Sequence, residues 1–419
     1  MSCGNLTLSQ YNLKRSTDLV PVYGEENDAL LRILPRKKRN TQKNCRVSPL
    51  RVYHSGRRIE FDVSLGKAEY HIYYSTKNTE LTESVETSIA ATILPLMMSG
   101  GGKCEIGGAV SERFLTSIEQ IQDIYYAWEP NSQRVAFTDD LSVVKKQPGK
   151  MRTGEFFSAG VDSFYTLLQH RDEITDLIFV HGFDISIGQH SLYKKASDAV
   201  AYIAEELGKN VIEIETNVRS LLDPYISWEM SHGAALVSVG YLLSSHFSKI
   251  YIASTYTHAN LHPWGSHPFL DPLWSTESLE FIHDRCEASR AEKTAFLAQH
   301  DIALRTLRVC WQCPHETYNC GKCRKCLITM IDLYAAGKLE QCATFDTPLD
   351  IRNVYKINIE GHVAFSYLRD NLLTLEKRDL NPELRKALLY VLRKQRYFRE
   401  LLNIMKKILK AIFLKMKVI

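Results

Sequence analysis

The sequence predicts an α/β protein whose sheet is mostly parallel with helices on both faces, preceded by an α+β region and followed by a helical one. Two patterns carry that prediction. Between residues 152 and 256 the apolar runs GEFFSAG, DLIFVHGFD, NVIEIETN and KIYIAST alternate with segments of helical period. Strands separated by helices form βαβ units, which lie parallel and take a helical layer on each side. Before residue 150 the period shortens to two. RRIEFDVSL and AEYHIYYST alternate apolar with polar across a glycine-containing link, which is the signature of a hairpin.

Residues 1–57 are loop-rich and include the basic run Arg36-Lys37-Lys38-Arg39. ETSIAATILPLMM reads as a short apolar helix interrupted at Pro95 and ended by SGGG at 99–102. A helix at 112–128 and the strand QRVAFT follow, with a link at Lys145–Lys150. DSFYTLLQH opens the helices of the parallel region, and SLYKKASDAVAYIAEELG is the cleanest of them, closed by Gly208. The expected division is a 1–150 accessory domain, a 151–345 α/β domain and a 346–419 helical region. In the last, Leu401, Ile404, Ile408 and Ile412 recur at helical spacing among lysines. That segment is expected to dock on the body or a partner subunit, the commonest fate of an amphipathic helix.

Composition narrows the function classes. A net charge of +4 over 419 residues asks for no obligatory nucleic-acid partner. No stretch reaches the roughly 18 apolar residues of a membrane span, and the N-terminus has no secretory apolar core. Five of the ten cysteines crowd between Cys310 and Cys326, which reads as metal binding in a reducing, cytoplasmic setting.

The catalytic signal is Ser158-Ala159-Gly160-Val161-Asp162-Ser163, where a strand runs into a helix. Small residues there let backbone N–H groups approach phosphate oxygens, and the helix N-terminus adds its positive end. Ser158 and Ser163 supply hydroxyls. Asp162 cannot attract a phosphate, so its task is to hold Mg²⁺ or to orient the loop. The segment resembles the PP-loop of the ATP pyrophosphatase superfamily, usually S-G-G-x-D-S, with Ala159 in place of the first glycine. Alanine is expected to tolerate that turn. The stretch from Leu177 to Glu215 is similar to 7-cyano-7-deazaguanine synthases, and Asp184, Gly188, Gln189 and His190 stand at that family's strand-end aspartate and G-Q-x-H element. The resemblance covers roughly 152–330 and implies an adenine nucleotide α-hydrolase-like fold, with Asp184 beside ATP.

Cys320-x₂-Cys323-x₂-Cys326 folds three sulfurs onto one point, Gly321 permitting the turn, and a fourth must come from Cys310 or Cys313. The family's zinc clasp has one distant cysteine before C-G-x-C-x-x-C, which implies Cys310 as the fourth Zn²⁺ ligand and Cys313 as a spare.

At the acceptor end the resemblance weakens. Met230-Ser231-His232-Gly233 replaces the family's arginine–asparagine pair, and its proline–aspartate–cysteine element is missing. Candidate substrate residues are Gln189, His190 and His232, with Trp264, His267 and Asp271 from the His-, Trp- and Pro-rich loop after KIYIAST. Trp274, His258 and Glu277 lie in the same loop. The resemblance implies an ATP-dependent ligase that forms AMP and pyrophosphate. It would activate a deazaguanine-type acid for transfer to an amine, ammonia or protein acceptor, a chemistry also placed in bacterial antiviral defence. The alternatives are a PP-loop tRNA-modifying sulfur transferase and a non-catalytic zinc-stapled binding module.

Overall fold

The structure, a computed structural model, describes residues 44–138, 141–144, 152–312, 314–359 and 361–394. The basic run at 36–39, the 145–150 link, Cys313 and the amphipathic segment beyond residue 394 lie outside the described residues.

Polarity patterns decide how the first strands pair. These are β1 (Cys45–Val47), β2 (Arg51–Tyr53), β3 (Arg58–Leu65) and β4 (Ala68–Thr76). In β3 Ile59, Phe61, Val63 and Leu65 are buried while the residues between them are half-exposed. One packed face and one wet face suit an antiparallel pair, and β3 meets β4 in that sense from Arg58↔Ser75 to Leu65↔Ala68. The next helix, α1 (Val85–Met98), runs through Pro95 instead of stopping there. Proline there forfeits one backbone hydrogen bond, but Leu96 and Met97, both fully buried, continue the core beyond it. β5 (Gly102–Glu105), β6 (Gly108–Ser111), α2 (Glu112–Trp128), β7 (Val135–Phe137) and β8 (Leu141–Val144) follow.

The parallel half is β9 (Arg152–Phe156), α3 (Val161–Gln169), β10 (Asp176–His181), α4 (His190–Leu207), β11 (Asn210–Thr216), α5 (Arg219–Leu222), α6 (Trp228–Tyr241), β12 (Phe247–Ala253) and β13 (Glu280–Asp284). β10 is buried on both faces apart from a half-exposed Val180, as a strand inside a parallel sheet must be. Helices α7 (Arg290–Leu297), α8 (Asp301–Thr306), α9 (Arg324–Ala335), α10 (Ile351–Tyr355) and α11 (Gly361–Lys377) complete the chain with a helical stretch at 382–394.

The protein is α/β with one mixed 11-stranded sheet, ordered β13-β12-β9-β10-β11-β4-β3-β1-β5-β7, with β2 on β3. Its first five strands are all parallel, and the sixth, β4, joins β11 antiparallel through Thr216↔Tyr74. The sheet therefore runs on from the parallel strands into the N-terminal ones, which sequence periodicity had not linked. One hydrophobic core holds Ile59, Ile93, Ala234, Ile250 and Phe281 together. A second lies on the opposite face beneath α3 and α4, and a third joins α9 to α11 and the 382–394 helix. From β9 the chain steps outward to β10 and β11, then returns to place β12 on the other side of β9. Ligands of open α/β sheets bind at such a reversal, beyond the carboxyl ends of the strands.

Glu155, in the middle of β9, is fully buried with both carboxylate oxygens unpartnered. Burial first, and then the charge of Asp284, hold its carboxyl well above the usual carboxylate range. A carboxyl that stays neutral when folded but ionises when unfolded favours the fold at low pH, and that contribution is lost as pH rises past the unfolded value of about 4.5. Glu155→Gln is therefore expected to melt like the wild type at pH 4 and above it at pH 8. Parallel melting-temperature profiles for the two proteins would show that Glu155 is already ionised.

Candidate functional site

The segment after β9 turns sharply into α3. Ala159 sits there in the left-handed region, at φ 57°, with its side chain buried. For alanine that conformation costs roughly 1–2 kcal/mol. The expected tolerance is thus met at an energetic cost that glycine would not carry. Two contacts hold the turn: Ala159 O accepts from Arg308 N at 2.8 Å, and Ser163 Oγ accepts from Ser158 N at 3.3 Å. Gly160 caps α3 in an extended conformation, and Val161 and Asp162 form its first turn.

Asp162 faces two cations. Arg290 Nη1 and Lys293 Nζ each lie 3.3 Å from its carboxylate. Lys293 is almost wholly buried, and its Nζ also donates to Ser254 O at 2.6 Å, at the end of β12. Arg290 donates to Thr329 Oγ1 of α9 at 3.2 Å. The switch point is thus lined by an aspartate from α3 and two cations from α7. These ion pairs tie the first turn of α3 to α7. Sequence reading missed Arg290 and Lys293. The signal available was Ser289-x-x-Glu292, a capping box that both side chains and backbones complete here and that fixes where α7 begins.

The C-terminal helices reach the same place. Tyr367 of α11 donates to Thr255 O at 2.8 Å, and Arg290 lies 5.8 Å from its ring centroid. Below it, burial pushes the Asp332 carboxyl of α9 up to about 7 against the opposing charge of Arg290.

A series of rings leads away from the loop. Tyr256, fully within the protein, contacts Trp264 at 5.2 Å between centroids, and Trp264 contacts His232 at 5.4 Å. His232 meets Trp228 at 6.1 Å, and Trp228 carries Arg219 over its face at 4.6 Å. Trp264 and His232 are therefore neighbours. His267 and Asp271 lie just behind them, both buried. Asp271 Oδ2 takes His283 Nδ1 at 2.7 Å and Ser266 Oγ at 2.6 Å. Burial opposes a charged His283, but the hydrogen bond and charge of Asp271 outweigh it and hold the imidazole up to about 9. Burial and the nearby His283 push His267 down to about 4. Ser266, His283 and Asp271 are no hydrolytic triad, because Ser266 and Asp271 share the same ring nitrogen.

The remaining candidates are spread more widely. Asp184 is exposed just beyond β10, close enough for its charge to act on His232. Gln189 turns back to accept from Ser186 N at 3.1 Å, and His190 is exposed at the start of α4. No contact joins these two to the Asp162 cluster among the described residues. Trp274 is fully buried against Phe114 in the core and offers no stacking face. Glu277 accepts from Arg113 N at 2.8 Å, and His258 N donates to Cys286 O at 2.9 Å.

Behind the turn, Cys310, Cys320, Cys323 and Cys326 bring all four sulfurs within 4.8 Å of one another. Cys310–Cys323 and Cys320–Cys326 are each 3.9 Å apart. A tetrahedron of about 2.3 Å metal–sulfur bonds has edges near 3.8 Å, roughly what is seen. Gly321 makes the tight turn at φ 63°, and a Cβ there would lie 2.2 Å from Thr347 Oγ1. Crowding against Cys310 pushes the Cys323 thiol up to about 12, so four thiolates need a cation among them. The residues fit a metal ion. Asn319 ties the cluster to the site, its Oδ1 accepting from Val309 N and Cys310 N, one residue beyond the Arg308 that braces Ala159.

Two outcomes test this geometry. Asp162→Asn leaves a nearly buried lysine without its counter-charge, so beyond any catalytic effect it should lose about 2–3 kcal/mol in denaturant unfolding, less than a sealed pair because Asp162 is partly exposed. An unchanged midpoint would place the Lys293 charge elsewhere. One tightly held metal ion per chain should co-purify, with Cys323→Ser sharply reducing metal content and soluble yield and Cys313→Ser doing little; elemental analysis without metal in the wild type refutes the clasp.

Compared with protein-family models, with characterised proteins and with solved structures, the chain has no match, so function rests on its own residues.

Proposed function

We propose that the chain is an AMP-forming, ATP-dependent ligase of the PP-loop class. The observation that carries this reading is the Ser158–Ser163 turn at the switch point, opening α3 beside Arg290 and Lys293. Backbone N–H groups, a helix N-terminus and two cations form a receptor for a polyphosphate. ATP would lie with its phosphates on Ser158, Gly160 and Ser163, its adenosine toward Asp184. Mg²⁺ brought in with the nucleotide would add positive charge beside the phosphates, and Arg290 and Lys293 would neutralise pyrophosphate as it departs. A substrate carboxylate attacks the α-phosphorus, pyrophosphate leaves, and an amine, ammonia or a protein acceptor captures the acyl-adenylate. The ring series from Tyr256 to Trp228 suits a planar acid of the deazaguanine type. The clasp would hold zinc in a structural role, bracing the turn through Arg308.

With ATP, Mg²⁺ and a carboxylated 7-deazaguanine, the protein should release AMP and pyrophosphate, and Lys293→Met should lower that rate by about 100-fold or more. ADP and phosphate as products would overturn the reading.

A further inference from the structure

His232 stands where the resemblance to deazaguanine synthases breaks down, in the second turn of α6. Its Nδ1 lies 3.2 Å from Trp228 O and 3.1 Å from Glu229 O. Both neighbours are acceptors, so Nδ1 carries the hydrogen and donates it. In the neutral ring the lone pair then belongs to Nε2, for which no described residue provides a hydrogen bond. The ring is half-buried between Trp228 and Trp264. It is also held firmly in place. A Cβ at Gly265 would come within 2.8 Å of Nδ1, so the loop closes onto the ring only because residue 265 is glycine.

The surrounding charges give this imidazole a particular character. Burial holds its pKa below the usual histidine range, so it is unprotonated at neutral pH. Two carboxylates oppose that shift, Asp271 from the loop after β12 and Asp184 from the loop after β10. Both would stabilise an imidazolium once a proton arrived. An available lone pair, a neutral resting state and acidic neighbours are the attributes of a general base.

We infer that His232 is the base that removes the proton from the amine as it captures the activated acid. This rests on the adenylation reading above and adds the missing acceptor half. The amine nitrogen forms a bond to the acyl carbon, the bond from that carbon to the AMP oxygen breaks, and AMP leaves with the electron pair. The nitrogen's proton passes to Nε2 and from there to solvent. Two ring contacts lead from His232 through Trp264 to Tyr256, on which the charge of Asp162 acts.

His232→Asn tests it. Asparagine keeps an N–H for the Trp228 and Glu229 carbonyls but has no proton acceptor at the Nε2 position. Two rates are measured with carboxylated 7-deazaguanine: ATP–pyrophosphate exchange for activation, and amide formation from ammonium chloride for capture. The ratio of capture to exchange should fall at least about 100-fold in the variant. Added imidazole should restore part of it, and the rise of capture with pH that reports the neutral imidazole should disappear. An unchanged ratio, or a loss confined to exchange, overturns the assignment. If His232→Asn melts below the wild type, His232→Gln is measured in the same way against the same ratio. A wild type that shows no exchange at all fails the adenylation reading, and this inference falls with it.

Discussion

A lysine ammonium with almost no exposure to water can persist only if something nearby answers its charge. In this protein Lys293 finds Asp162 at the start of α3 and the carbonyl of Ser254 at the end of β12. Those two partners lie beyond the ends of strands β9 and β12, between which the sheet reverses its order. One buried cation therefore fixes the width of the crevice, the orientation of the turn after β9 and the docking of α7. Arg290, one helical turn away, extends the same arrangement to α9 and α11. The C-terminal helices are thus part of the wall behind the turn and share its electrostatics.

Two supports of different kinds converge on the turn. From the front it is held by charge, through Asp162. From behind it is held by chain geometry, because Arg308 hydrogen-bonds Ala159 and lies two residues from the first clasp cysteine. The strain at Ala159 is therefore carried by surroundings that leave the turn little alternative. Further out, the aromatic series and the buried Asp271–His283 pair make a separate, softer environment in which ring stacking and histidine protonation dominate. In the proposed function, nucleotide chemistry and acceptor chemistry would be divided along that line.

Much of the parallel half was legible in the sequence, because β9 to β12 alternate with the helical stretches of α3, α4 and α6, whereas the four-residue α5 was not foreseen. The hairpin of β3 and β4 was legible from its period of two. What periodicity cannot convey is which strand lies beside which, so the pairing of β4 with β11 was invisible: it joins residues far apart in the chain. Pro95 misled because the burial of Leu96 and Met97 carries the helix past it in spite of the hydrogen bond that proline removes. Three of the clasp cysteines were legible from spacing, and the resemblance pointed to Cys310 as the fourth. Arg290 and Lys293 were not, since isolated cations on a short helix look like solvated surface until the fold turns them inward. Trp274 illustrates the converse, an aromatic in a promising loop that the core claims. The resemblance placed the turn and Asp184 together but had nothing to offer for His232, where the chain goes its own way.

The pairing of β4 with β11 has a consequence for how the molecule is made. Tyr74 must wait for Thr216 to leave the ribosome before its strand gains that neighbour. Until then the hairpin offers a bare edge, with unpaired amide and carbonyl groups that invite foreign strands. Contacts so distant along the chain also slow folding, since the intervening loop must close before they form. The turn after β9 is synthesised inside that interval. A nascent chain thus possesses its turn after β9 before it possesses a finished sheet to hold it, and chaperone protection would matter most while residues 76–214 are being added.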